Sequence, residues 1–264
     1  MMSLAARHSM LSTGARRGLL GSNLRRPFLS NNSSLFDRLI SFWRLDEASG
    51  ASRVDDFGSN NLTNNNTVTQ VAGRVGNASG FVVASSQSLS VASNASLQTG
   101  DIDFTLTGWI YLTSISVAGT AVSRYNGSGA ANFEYQIVFA DTNRMIFQVS
   151  DTGDDNDRTT VTANTFGALS IDTWYFVAVW HDSTANTINI SVNNGNADST
   201  AHTGGVFVGT NTFRMGGNGA GTNYLGGRLD AWGFWKRLLT AAELTALYAS
   251  GNGIELFPWG ADRP

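Results

Sequence analysis

From Thr173 to His181 the chain runs nine residues without Gly, Pro or a formal charge: Thr-Trp-Tyr-Phe-Val-Ala-Val-Trp-His. Aromatic and β-branched side chains over that length predict a strand apolar on both faces, which belongs between two layers. Thr187-Ile-Asn-Ile-Ser-Val192 then alternates polar and apolar, and Asn194-Gly195 supplies residues that tolerate the positive φ of a tight turn. A buried strand followed by a hairpin predicts a sheet.

The same pattern extends in both directions. Leu39-Ile-Ser-Phe-Trp-Arg-Leu45 predicts the first strand, ended by Asp46-Glu-Ala-Ser-Gly50, with a polar loop from Asp55 through Asn64-Asn-Asn66. Short strands are expected at residues 68–71, 80–83 and 88–91. In Asp103-Phe-Thr-Leu-Thr-Gly-Trp-Ile-Tyr-Leu112, Phe104, Leu106, Ile110 and Leu112 share one face and Thr105, Thr107, Trp109 and Tyr111 the other. The first face is core. The two aromatics of the second are read either as a platform for a sugar ring or as packing under a further layer, the commoner use of large aromatics.

Residues 134–139 and 144–149 predict a hairpin across Asp141-Thr-Asn. The acidic run Asp151-Thr-Gly-Asp-Asp-Asn-Asp157 after it is no EF-hand, because Asn156 stands where the loop needs Gly and Thr162 where it needs a bidentate Glu. It reads as a solvated turn. The last strands are expected at Phe213-Arg-Met215, preceded by Gly204-Gly-Val-Phe-Val-Gly209, and across residues 225–235. Thr240-Ala-Ala-Glu243 is a capping box opening a short helix through Leu244, Leu247 and Tyr248, with Gly251 as its stop and Leu238, Leu244 and Leu247 as its anchors.

Composition adds to this an all-β reading of 264 residues, with 29 Gly and 3 Pro marking many turns. Without cysteine there is no disulfide and no thiolate metal site or nucleophile. No apolar run approaches the roughly 18 residues that span a bilayer. Charge divides the chain: Arg7, Arg16, Arg17, Arg25 and Arg26 face no acid in residues 1–36, a block of +5, so the remaining 12 basic and 20 acidic residues leave the body at −8. The basic block reads as a presequence, a disordered arm or an arm ordered by a partner. Termini are poorly ordered unless tied down, so the expectation is an arm held by other proteins. Without interleaved aromatics, it carries no specific nucleic-acid recognition. The organisation expected is an arm over 1–36, a domain over 37–251 and an apolar tail over 252–264.

Several of these segments together resemble the laminin-G-like domains of the concanavalin A-like lectin/glucanase superfamily. They are Phe42-Trp-Arg-Leu-Asp-Glu-Ala-Ser-Gly50, Asp55 with Gly58 and Asn60, Gly73-Arg-Val-Gly-Asn-Ala78, and Asp103-Phe-Thr-Leu-Thr-Gly-Trp109. Thr173-Trp-Tyr-Phe-Val-Ala-Val179, Val192-Asn-Asn-Gly195, Gly226-Gly-Arg-Leu-Asp230 and Leu239-Thr-Ala-Ala-Glu-Leu244 continue the resemblance in order, so that it covers roughly residues 39–251. It implies a jelly-roll sandwich of two antiparallel sheets with a short C-terminal helix, and a structural calcium between the Asp-x-x-Gly loop and the acid of the penultimate strand. The matching positions are Asp55, Asn60 and Asp230; Ala231 replaces an acid that often follows.

The glucanases of the superfamily use a Glu-x-Asp-x-x-Glu strand, and nothing here matches it. Glu47, Glu134, Glu243 and Glu255 stand alone, and His181 beside Asp182 points to the opposite side of its strand. No catalysis is expected. Two functions compete. One is a structural or adhesion module of a viral or phage particle, as capsid decoration, fibre or tail component on the virion surface. It would be anchored to other virion proteins by the five arginines, within a homo-oligomeric assembly. The other is an extracellular or cell-surface carbohydrate-binding module using Trp109, Tyr111, Tyr125 or Tyr224 on a glycan.

Overall fold

The computed structural model of the chain describes residues 32–256, apart from 116, 117, 128, 130 and 140–142. Contacts divide the chain into residues 1–32 and 33–264. Arg7, Arg16, Arg17, Arg25 and Arg26 lie outside the described residues, as do Asp141 and Thr142 of the expected hairpin tip.

Among the described residues fifteen strands follow in order: β1 (Leu39–Trp43), β2 (Thr63–Asn65), β3 (Thr69–Ala72), β4 (Asn77–Phe81), β5 (Ser88–Val91), β6 (Phe104–Leu112), β7 (Gly119–Tyr125) and β8 (Phe133–Phe139). Then come β9 (Met145–Val149), β10 (Thr159–Thr162), β11 (Trp174–Asp182), β12 (Thr187–Val192), β13 (Asp198–Ala201), β14 (Phe213–Met215) and β15 (Gly227–Trp235), before one helix, α1 (Ala241–Tyr248). All pairings are antiparallel. The first sheet runs β13-β12-β11-β6-β15-β4-β3, with β1 also on β15; the second runs β10-β9-β8-β7-β14-β5-β2. The two sheets face each other across one core, the sandwich that alternation predicts.

The central strand is double-faced as expected. Tyr175, Val177 and Val179 enter the inter-sheet core, whereas Phe176 and Ala178 join a second cluster on the other side of the first sheet. That cluster also takes in Leu35, Leu39, Phe42, Trp109, Trp235, Leu247 and Leu256. Leu35 thus packs with the body although sequence groups it with the arm, and Leu256 does so from the tail. Trp235 Nε1 donates to Leu35 O at 2.7 Å, which fixes the chain's entry into the domain.

Several elements differ from the expectation. β7, β10 and β13 carry Ser, Thr, Arg or Asp among few apolar residues, and β2 is cut from the Asn-rich run read as loop. Their strand state comes from neighbours completing the ladder, a tertiary effect that local propensity does not encode. Conversely, residues 204–209 form no strand; Phe207 N instead donates to Ser150 O at 2.8 Å as the segment crosses the β9–β10 connection.

Helix α1 begins as its capping box requires: Thr240 Oγ1 accepts from Glu243 N at 3.2 Å, and Thr240 N donates to Glu243 Oε2 at 2.8 Å. It stops at Tyr248 because Ala249 already turns left-handed (φ 46°), two residues before Gly251. Arg237 grips Glu243 through Nη1 and Nη2, each at 2.8 Å, tying the helix start to the end of β15. Those charged hydrogen bonds hold the Glu243 carboxyl down at about 2, against an ordinary value of 4.5. A depressed carboxylate stabilises the fold above its unfolded pKa and loses that contribution as pH falls from about 4.5 toward 2. Glu243→Gln should therefore cost about 1–3 kcal/mol at pH 7 and progressively less below pH 4.5, as read by urea unfolding of both proteins across that range. An equal deficit at pH 7 and pH 2.5 would contradict it.

Candidate functional site

The four candidate aromatics have different surroundings. Trp109 is only 3% exposed. Its ring stacks on Tyr248 (5.9 Å between centroids, 20° between planes), with the Arg74 guanidinium 5.5 Å from the ring centre. Tyr111 lies beneath Arg228 at 4.4 Å, packs against Trp174 at 5.3 Å and donates its hydroxyl to Asp172 Oδ1 at 3.1 Å. Trp109 belongs to the cluster outside the first sheet, whereas Tyr111 is half-buried beside it. A shallow cavity of about 460 Å³ opens beside them, edged by Arg74, Trp174 and Tyr248. Tyr125 is 8% exposed, packed on Phe133 and bonded through its hydroxyl to Asp155 Oδ2 at 3.0 Å.

Tyr224 is different. It is half-buried, and its ring lines a cavity of about 220 Å³ on the outer face of the second sheet. Strand alternation builds that face. Phe213 and Met215 of β14 and Leu89 of β5 point into the core, so Arg214, Ser88 and Ser90 point out. Asn65 of β2 stands opposite Ser88 and donates to Ser90 Oγ at 3.0 Å. In register with these, one polar row crosses the sheet: Thr63, Ser90, Arg214, Ser123, Gln136, Gln148 and Thr160 are successive cross-strand partners. Gln136 Nε2 donates to Gln148 Oε1 at 2.7 Å, and Gln148 Nε2 donates to Thr160 Oγ1 at 3.1 Å. The row contains no carboxylate, and neither does the cavity lining among the described residues.

The wall of the cavity is the loop from Gly216 to Leu225. Leu225 N donates to Gly216 O at 3.0 Å, closing the loop at its base, and Gly219 N reaches back to Tyr125 O at 2.7 Å. A Cβ at Gly217 would lie 2.8 Å from the Tyr224 ring, and one at Gly219 2.8 Å from Arg214 Nη1. Glycine at these two positions lets the loop close over both side chains. Asn218, buried at the bend, accepts from Thr222 N at 3.2 Å and Thr222 Oγ1 at 3.3 Å.

The residues expected to hold calcium sit in two separate networks. Asp55 accepts four backbone amides, from Phe42, Phe57, Gly58 and Asn60, at 2.9–3.1 Å, and so organises its own loop. Asn60 donates to Ser41 and Ser96. Asp230 instead faces the Gly73–Asn77 turn. Its Oδ2 accepts from Arg74 N and Val75 N at 2.6 and 2.8 Å, while its buried Oδ1 has no partner among the described residues. Across the same turn, Asp46 Oδ1 accepts from Asn77 N at 2.7 Å. Burial pushes the Asp46 carboxyl up to about 6 and the Asp230 carboxyl well above the ordinary range; the Asp46 charge also raises Asp230. Two desolvated carboxylates, one with a free lone pair, are hard oxygen donors suited to a divalent cation. Asp46 was not singled out from the sequence, because its meeting with a residue 184 positions away has no local signature. Among the described residues no three His, Cys, Asp or Glu side chains cluster.

The other charged candidates are engaged elsewhere. Glu134 forms a fully buried ion pair with Arg124 at 2.7 Å. His181 Nδ1 bonds Ile102 O at 2.8 Å, and Asp182 caps the following turn by accepting from Thr184 N and Ala185 N. Asp154 Oδ1 of the acidic run likewise accepts from Asn156 N in its own exposed turn.

Two antiparallel sheets, a helix laid outside one of them and a polar cavity outside the other define a jelly-roll domain of the lectin type. The chain belongs to the concanavalin A-like lectin/glucanases superfamily, whose laminin-G family model matches residues 83–245. A comparison with curated protein sequences finds no match. Among solved structures, the binding domain of Paraclostridial Mosquitocidal Protein 1 is similar at 18% identity and TM-score 0.64, over 82% of this chain and 53% of that one. The binding domain of botulinum neurotoxin serotype G is similar at 14% and 0.58, over 80% and 50%. Domain 4 of AbnA, an extracellular arabinanase from Geobacillus stearothermophilus solved with arabinotriose, is similar at 16% and 0.57, over 82% and 98%. This chain spans about half the length of the two toxin domains. No helix among the described residues is long and apolar enough to cross a membrane.

Proposed function

We propose that the domain is a non-catalytic, extracellular glycan-binding module whose site is the Tyr224 cavity. The observation that carries this is the pairing of a half-buried aromatic ring with a lining of Asn and Ser side chains and one arginine. An aromatic face packs against the C–H face of a sugar ring, and amides and hydroxyls satisfy its hydroxyl groups. Trp109, Tyr111 and Tyr125 have their rings or hydroxyls committed to protein partners, which leaves Tyr224 for the role. A glycosidase needs two carboxyl groups flanking the bond it breaks, and this cavity offers none. The arabinanase neighbour bound to arabinotriose supports a sugar-binding use of the fold. The alternative of a particle component needs Arg7, Arg16, Arg17, Arg25 and Arg26 as its anchor, and these lie outside the described residues.

On a glycan array the wild-type chain should bind a discrete set of oligosaccharides. Tyr224→Ala should weaken binding about 3- to 10-fold, the equivalent of one aromatic contact. Replacing the five arm arginines by Gln should leave it unchanged. A wild-type chain that binds no glycan sinks the reading.

The expected calcium belongs, in this proposal, to Asp230 and Asp46, where it would neutralise two buried carboxylates and pin the Gly73–Asn77 turn to β15. At a calcium concentration about 100 times Kd the fold should gain about 2.7 kcal/mol, a rise in Tm of about 5–10 °C for a domain this size. EDTA should reverse the rise and Asp230→Asn should abolish it. Identical melting of the wild type in calcium and in EDTA would refute the assignment.

A further inference from the structure

Arg214 has donors that the described residues leave unused. Four of the domain's arginines are matched to carboxylates: Arg124 to Glu134, Arg53 to Glu47, Arg44 to Asp56 and Arg237 to Glu243. Of the half-buried ones without a carboxylate, Arg74 and Arg228 lie over the Trp109 and Tyr111 rings and bond the Gly251 and Ala72 carbonyls, and Arg144 bonds Asn164. Arg214 projects from the middle of a strand on the polar face and is half-buried, yet it faces no carboxylate among the described residues. Its one hydrogen bond there runs from Nη1 to the side-chain oxygen of Asn126, at 3.1 Å. Burial pulls its pKa below the ordinary arginine range, so water solvates the charge incompletely. A guanidinium cannot shed its proton at physiological pH, so the unmet demand is for an anion.

The surroundings restrict which anion. Gly219 packs against the Tyr125–Asn126 backbone, where a Cβ would collide with Tyr125 O and lie 2.8 Å from Arg214 Nη1, and the same loop holds the Tyr224 ring against Gly217. The guanidinium, held by Asn126, and the Tyr224 ring line the same cavity. Asn218 contributes a side-chain amide whose nitrogen has no partner among the described residues, and Asn65, Ser88 and Ser90 supply further uncharged polar groups. One fixed charge matches one carboxylate, and the neutral amides and hydroxyls match the hydroxyl groups of a sugar ring.

We infer that the Tyr224 cavity recognises carboxylated sugars, with Arg214 receiving the carboxylate in a bidentate pair and Tyr224 lying against the ring. This rests on the glycan-binding reading and specifies its ligand class.

The test uses the full chain and calorimetric titration with trigalacturonate and its carboxyl-reduced counterpart, and with sialyllactose and lactose. A sulfated trisaccharide is the third arm. At least one acidic probe should bind at least about tenfold more tightly than its neutral counterpart, and which pair shows the difference separates a uronate from a sialate source. Arg214→Gln should bring the acidic probe down to the neutral one. Arg214→Lys, which keeps the charge without the fork, should recover only part of the preference. Tyr224→Ala should weaken acidic and neutral probes by the same factor. If Arg214→Gln fails to fold by thermal melt, the Nε–Hε resonance of Arg214 in the wild type should shift with the acidic probe and not with its neutral counterpart. Equal binding of each pair, an unmoved Arg214 resonance, or binding confined to the sulfated sugar overturns the inference while leaving glycan binding in place. Binding of no probe and no array glycan overturns the parent reading with it.

Discussion

The whole domain turns on how β15 threads the first sheet. Along one side it pairs with β6; along the other it pairs with β4 through residues 227–229 and with β1 through residues 232–235. A bulge between Asp230 and Gly233, with Ala231 in a left-handed conformation (φ 49°), makes the change of partner possible. A left-handed alanine costs roughly 1–2 kcal/mol. It is offset because the bulge seats Trp232, fully buried, over Gly108 of β6, where any larger residue would collide with the indole. Asp230, opposite Trp109, is left facing the Gly73–Asn77 turn. One irregularity thus sets a fully buried tryptophan, the position of the Asp230 carboxylate and the docking of β1.

The same strand fixes the candidate site on the opposite sheet. Leu225, fully buried just before β15, closes the Gly216–Leu225 loop through its bond to Gly216, and Thr120 N holds Asn223 O at 2.9 Å. The loop is therefore tied to β7, β14 and β15 together. A glycine-rich segment that would otherwise lose much entropy on ordering becomes a fixed wall, and Arg214 and Tyr224 take their positions from it.

Legibility followed locality. The strand from Trp174 to Asp182 and the capping box at Thr240 announce themselves because the determining residues are neighbours in sequence. β7, Gly-Thr-Ala-Val-Ser-Arg-Tyr, did not, since its one charge is satisfied by Glu134 from the next strand. Asp55 looked like a metal ligand by its place in the resemblance, but its four amide partners are a property of the folded loop. Arg214 was visible as a charge between two core residues, and the glycine-rich run with Tyr224 was visible downstream. What no spacing rule conveyed is that the loop doubles back on the strand and that no acid among the described residues meets the arginine.

Net charge sharpens the meaning of a guanidinium that meets no carboxylate among the described residues. The body around it carries −8, so long-range electrostatics repel an anionic ligand rather than steer it in. Any recognition of a carboxylate by such a domain has to come from short-range, partly desolvated contact, where the field of one arginine outweighs distant acids screened over about 8–10 Å. Such a site would discriminate by geometry at contact and not by accelerated encounter. Physiological salt then weakens the background repulsion more than it weakens the pair itself, so an acidic protein can hold an acidic sugar without becoming a general binder of polyanions.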